Sequence, residues 1–320
     1  MERNNMSKKI RALIYVLLAF IANFILQFFV VIGMTVARLV FLKNISDDNF
    51  MVLTNVGYSI VAAVVGIVVL IVMKRMEQKK KLEYGAMGYG RQDCDQKEYD
   101  QQKDGTTECA RQTCDDTYSD SRCLAYEKRY GVFKDTLKLL LFGIILQGFV
   151  YCILNLSYQV FGNTALFKNY AELISNLNGS KSLYIYIYTM FLAPISEEIL
   201  FRGIVMRLAQ KGGSYMFANF AQAFAFGVFH GNIIQGIYAF VLGLMLGYVA
   251  YSRNSLYKSI WLHMVVNISG IIIIPQLLNI VSAGIGVESA YILGCIVFTS
   301  AVSVWLMADM GILKKGHITM

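Results

Sequence analysis

Residues 51–73 run without one charged side chain and are dominated by Val and Ile. A helix needs about 20 such residues to cross a hydrocarbon core about 30 Å thick. Residues 51–73 are therefore predicted to be a membrane-spanning helix. Further apolar runs at 12–36, 139–161, 183–208, 215–230, 233–251, 256–275 and 290–307 extend the prediction to about eight transmembrane helices. The predicted fold class is all-α, a polytopic membrane helix bundle. Composition agrees: 56% of the 320 residues are apolar and only 16% are charged, against about a quarter charged in soluble domains.

The net charge of +8 is distributed as membrane orientation requires. Residues 74–135 hold 13 Lys/Arg and 13 Asp/Glu, so the whole excess lies elsewhere, much of it near helix ends. Arg3, Lys8, Lys9 and Arg11 precede the first helix, Lys74 and Arg75 follow the second, and Lys314 and Lys315 follow the last. With an even number of spans these clusters share one side, which places both termini in the cytoplasm. Such scattered charge suits a lipid bilayer and not nucleic acid. The apolar run after the basic start is too long for the core of a cleavable signal, so the first helix is expected to remain as an anchor. The expected organisation is a two-helix membrane segment over 1–73, a polar, flexible cytoplasmic insertion over 74–135, and a six-helix membrane core over 136–320. Cys94, Cys109, Cys114 and Cys123 in the insertion lack zinc-type spacing, and Cys152 and Cys295 lie in apolar runs as packing residues. Gly243 and Gly247 form a small-xxx-small pair expected to bring helices close. Tyr184, Tyr186 and Tyr188 recur at every second position and are assigned to boundary anchoring, with no substrate role.

One apolar run is interrupted. Glu197, Glu198 and Arg202 fall within six residues of each other in 183–208. Ionised groups at membrane depth cost at least a few kcal/mol each, so they must be paired or put to use. Glu198 and Arg202 are four apart with the acid first, the order that favours an intrahelical ion pair. Glu197 lies about 100° around the helix and need not share that arginine. Two more polar sets lie in later helices: Phe226 with His230, and His263 with Asn267, each four apart and so on one face. Polar groups in lipid should converge. A carboxylate, two imidazoles and an amide suffice for hydrolysing an amide bond, with a carboxylate base and hydrogen-bond donors for the oxyanion. Glu197, His230 and His263 alternatively make a Glu-plus-two-His set for a zinc ion with an open position for water. The sequence leaves both mechanisms open. Straight helices would put His230 and His263 at different depths, so a bend near Pro194 and a water-accessible cavity are expected.

The three motifs, Glu197-Glu198-x-x-x-Arg202, Phe226-x-x-x-His230 and His263-x-x-x-Asn267, resemble those of the CPBP family of membrane proteins, the CAAX-protease and bacteriocin-processing proteins also called the Abi family. The resemblance covers roughly 183–275. It implies an eight-helix-type intramembrane endopeptidase. Glu197 and His230 would activate water, and His263 and Asn267 would bind the oxyanion. Glu198 is counted with these catalytic residues and, paired with Arg202, is expected to hold the helix in place. The implied substrate is a membrane protein or peptide. Peptide maturation or bacteriocin self-immunity in a bacterial plasma membrane are the implied roles. Two other classes are compatible with the same residues: a transporter or channel with an intramembrane charge pathway, and a non-catalytic immunity or binding protein of the same fold.

Overall fold

The computed structural model describes residues 2–40, 45, 47–86, 120–179 and 183–309. Among them the regular structure is helical throughout: α1 (Glu2–Val40), α2 (Asp47–Ala86), α3 (Asp120–Phe161), α4 (Ala165–Gly179), α5 (Leu183–Gln210), α6 (Tyr215–Phe229), α7 (Ile233–Ser252), α8 (Leu256–Ile285) and α9 (Val287–Asp309). Cys94, Cys109 and Cys114, the middle of the polar insertion and His317 lie outside the described residues. The described chain divides into two compact units. Met1–Gly66 with Thr136–Met320 form the larger and hold every candidate site residue; Ile67–Asp135 form the smaller, built on the end of α2 and the start of α3.

Six helices among the described residues are long and apolar enough to span a bilayer: Leu13–Val40, Phe50–Lys79, Val132–Phe161, Leu183–Gln210, Ile233–Ser252 and Leu256–Ile285. This corrects the expected eight. The fifth and eighth runs form helices, but the apolar stretches Tyr215–Phe229 and Val287–Val302 are too short. Fifteen residues, the length of α6, rise only about 22 Å, less than the hydrocarbon core. The protein is a polytopic helical membrane protein. Its exposed side chains include Leu17, Phe28, Phe29, Val64 and Ile280, while its buried ones include Glu198, Arg202, Gln222, Ser259 and His263. Apolar outside and polar inside is the arrangement lipid demands.

In the larger unit, α3, α7 and α8 share a core of Leu139, Phe142, Leu146, Leu242, Leu246 and Leu262. A second core joins Val16 of α1 to Phe201, Val205 and Met206 of α5 and to Ala218 and Phe226 of α6. Helices α6 and α7 approach closely, backbone to backbone. A Cβ on Gly227 would meet the Gly236 carbonyl oxygen at 2.7 Å, and one on Gly243 would meet Ala223 Cα at 3.0 Å. The small-residue pair Gly243 and Gly247 thus serves packing, the driving force left to helices in lipid. Each of α6, α7 and α8 starts on a side-chain cap, Ser214, Asn232 and Ser255, that accepts from the backbone N–H three residues on.

Helix α5 carries the candidate site and is not uniformly α. It contains π turns at Tyr188–Leu192 and Ile199–Val205, and α8 contains a third at Ser269–Ile273. The chain has two prolines. Pro194 and Pro275 each lie two residues beyond a π turn, where Ala193 N–H bonds Tyr188 O and Ile274 N–H bonds Ser269 O. A proline inside an α-helix removes one hydrogen bond and drives its ring against the carbonyl four residues back. Widening the preceding turn accommodates this while the helix continues. The irregularity expected near Pro194 is therefore a change of helical pitch on either side of Ala193–Glu198, the type of irregularity that gathers at functional sites.

Candidate active site

The short α segment Ala193–Glu198 between the two π turns ends on the paired glutamates. Glu198 is fully buried, and three groups meet at its carboxylate. Arg202 Nη1 donates to Oε1 at 2.7 Å, His263 Nδ1 to the same oxygen at 2.8 Å, and Ser259 Oγ to Oε2 at 2.6 Å. Arg202 extends the network by donating from Nη2 to the Gly243 carbonyl at 3.2 Å, with its guanidinium 4.6 Å from the centre of the Phe226 ring. The expected Glu198–Arg202 ion pair is present, and both side chains are inaccessible to solvent. Ionisation is supportable at such a site because each charged group has its partner and several hydrogen bonds.

His263 links the two glutamates. A carboxylate only accepts, so the 2.8 Å contact assigns the proton to His263 Nδ1. In the neutral ring Nε2 is then a lone pair, and it faces Glu197 Oε2 at 3.7 Å. Two acceptors at that separation, beyond hydrogen-bond range, require a proton source between or beside them. A water that donates to both satisfies them, with its oxygen left free. Glu197 retains 17% side-chain exposure, so its carboxylate is reachable in a way that Glu198 is not.

His230 stands at the C-terminal end of α6. Its Nδ1 lies 2.8 Å from the Phe226 carbonyl, which again assigns the proton to Nδ1 and leaves Nε2 as an acceptor. The Phe226 ring meets both imidazoles at 89°, with centroid separations of 4.7 Å to His230 and 5.7 Å to His263. His230 thus joins the group through an aromatic spacer. Asn267, one turn beyond His263, donates to the Thr189 carbonyl at 2.8 Å, using one of its two amide hydrogens on the π turn of α5. A cavity of about 330 Å³ lies on the far side of Arg202, lined by Arg207, Gln210 and Ser255 and not by Glu197 or the histidines.

The zinc ligand set Glu197, His230 and His263 is not assembled. Among the described residues no three His, Cys, Asp or Glu side chains are grouped to hold a metal ion. One His263 nitrogen is engaged by Glu198, and the Phe226 ring packs against both imidazoles. These residues do not fit a bound zinc, and the chemistry below uses none.

Residues 179–269 match the Rce1-like family. The matching family model is described as Rce1-like, type II CAAX prenyl endopeptidase. The Rce1-like stretch begins just ahead of α5, takes in all three motifs and ends at the third π turn, under a third of the chain. It agrees with the resemblance carried by the motifs and supports membrane proteolysis with a buried Glu/His pair. No curated protein and no solved structure matches the chain.

Several partners inside and outside the Rce1-like stretch are absent from the motifs. Ser259 is four residues before His263, so helical spacing alone puts it on the face that meets Glu198. Ser59 of α2 touches the site from outside the stretch: Ser196 Oγ, beside Glu197 in sequence, donates to Ser59 Oγ at 3.3 Å. A lone serine in an apolar helix carries no sequence signal for this.

Proposed function

We propose that this protein is an intramembrane endopeptidase that hydrolyses peptide bonds of membrane-associated proteins or peptides without a metal. The observation that carries the reading is His263 held between two glutamates, Nδ1 on Glu198 and Nε2 towards Glu197. Glu197 acts as general base on a water that also donates to His263 Nε2. Glu198, neutralised by Arg202, fixes the tautomer and orientation of His263. Such a carboxylate–imidazole arrangement positions the ring and stabilises its charged form as the proton moves. The Nε2 lone pair of His230, whose ring packs on Phe226 as His263 does, offers a further proton acceptor. General acid–base assistance of this kind contributes about 10²–10⁴-fold.

The family match supports a membrane-borne substrate, and the family resemblance supports peptide maturation or bacteriocin self-immunity as the setting. Lys/Arg at alternate helix ends support cytoplasmic termini. The test uses full-length protein in liposomes with internally quenched, membrane-anchored peptides, comparing wild type and Glu197→Gln, each with and without a chelator. Cleavage by wild type and its loss in Glu197→Gln is the expected result. Equal cleavage by both proteins sinks the assignment.

A further inference from the structure

The two carboxylate oxygens of Glu198 are used unequally. Oε1 accepts from both Arg202 Nη1, at 2.7 Å, and His263 Nδ1, at 2.8 Å. Oε2 accepts from Ser259 Oγ at 2.6 Å, the length of a hydroxyl donating to an ionised carboxylate. Ser259 is fully buried where three helices meet. It stands in the first turn of α8, faces Glu198 of α5 and lies 3.0 Å from the Leu246 carbonyl of α7. A hydroxyl has one proton, and a carboxylate and a carbonyl both only accept. The shorter contact, to the charged group, takes that proton, so the donor is fixed on Oε2. The first turn of a helix also carries the positive end of its dipole, which favours a carboxylate there.

Arginine and carboxylate commonly pair through a two-bond fork. Arg202 instead gives Glu198 one bond, from Nη1 to Oε1, and turns Nη2 to the Gly243 carbonyl. Its buried Nε has no hydrogen-bond partner among the described residues. The guanidinium thus has donors to spare, and Oε2 is the oxygen that a fork would take. We propose that Ser259 is a positioning residue. By occupying Oε2 it holds the Glu198 carboxylate in the orientation that lets Oε1 serve Arg202 and His263 together. The inference rests on the endopeptidase reading and adds a residue to that site. Without the hydroxyl, Oε2 is a buried acceptor left unsatisfied, which is unfavourable. The carboxylate then turns towards the spare donors of Arg202, and its hold on His263 Nδ1 loosens. His263 Nε2, 3.7 Å from Glu197 Oε2, loses the orientation that lets the two groups share one water. Ser259 acts on the chemistry only through Glu198 and His263.

The test uses full-length protein. Cleavage of the quenched, membrane-anchored peptide is read in liposomes, and the imidazole protons are read by NMR on isotope-labelled histidines in detergent. The chain has three histidines, so the signals are few, and a His263→Gln sample assigns the Nδ1–H proton. Ser259→Ala is expected to lower kcat by about 10-fold with KM unchanged. It is also expected to move the His263 Nδ1–H proton upfield, as a weaker hydrogen bond to the carboxylate requires. A loss of stability alone moves neither quantity in the folded protein. Ser259→Thr, which keeps the hydroxyl, is expected to restore both. An unchanged kcat or an unchanged proton signal in Ser259→Ala overturns the inference, as does a folded Ser259→Thr that restores neither. If Ser259→Ala does not fold, Ser259→Cys, a weaker donor of similar size, is read by the same two measurements and the same criteria. A wild type that cuts no peptide removes the endopeptidase reading and this inference together, whereas wild-type cleavage with full activity in Ser259→Ala removes the inference alone.

Discussion

His263 Nδ1 lies 2.8 Å from Glu198 Oε1, inside a membrane helix pair and away from solvent. That contact gives the adjacent glutamates opposite characters. Glu198 holds Arg202, His263 and Ser259 together, and Glu197 is left with the accessible carboxylate.

Replacing Glu198 is expected to damage the fold before the chemistry. Glu198→Ala leaves Arg202 buried without its counter-charge, which costs about 3–5 kcal/mol. Thermal denaturation in detergent should show a large fall in midpoint. Glu197→Gln removes no hydrogen-bonded partner of Arg202, so its midpoint should stay close to wild type while peptide cleavage falls at least about 10²-fold. Equal destabilisation by the two substitutions contradicts the division of roles.

Asn267 separates structure from chemistry less sharply. Its amide donates to the Thr189 carbonyl across α8 and α5. Asn267→Ala should cost about 0.5–1.5 kcal/mol for the lost hydrogen bond. It should also lower kcat, because the π turn that precedes the Glu197 segment loses its tie to α8. A variant with reduced midpoint and unchanged kcat disproves that link.

The α6–α7 contact predicts a steric effect remote from any charge. A Cβ on Gly227 would stand 2.7 Å from the Gly236 carbonyl oxygen, a backbone atom that cannot swing aside. Gly227→Ala should therefore destabilise by about 1–3 kcal/mol, the usual cost of overpacking. Gly33→Ala, where a Cβ meets nothing within 4 Å, serves as the control and should not lower the midpoint, since Ala is the better helix former.

Metal removal should be without effect. Exhaustive dialysis against a chelator, followed by cleavage assays in metal-free buffer, is expected to return wild-type rates. Loss of activity on dialysis, restored by added zinc, contradicts the donor arrangement around His263.

Much of this was legible in residue order. Apolar run lengths identify the spanning helices, because a helix must cover about 30 Å of hydrocarbon at 1.5 Å per residue. The same arithmetic explains the miss at α6, which is apolar but has only 15 residues. Spacing of four residues revealed the Glu198–Arg202 pair and the shared faces of Phe226 with His230 and His263 with Asn267, since such pairs lie one above the other on a helix. Spacing within helices says nothing about how close His230 and His263 come, and among the described residues Glu197, His230 and His263 are not grouped to hold a metal ion.

The sequence by itself determined the membrane class, the helices and the list of polar groups that must be buried together, since all three follow from local periodicity and the cost of charge in lipid. Only the tertiary structure decided which partner each group takes. His263 joins both glutamates, Asn267 turns to the Thr189 carbonyl, and Ser59 comes in from α2 to meet Ser196. Those contacts join residues up to 137 positions apart. They depend on helix pitch at the π turns and on packing between helices, and neither is written into the spacing of any one segment.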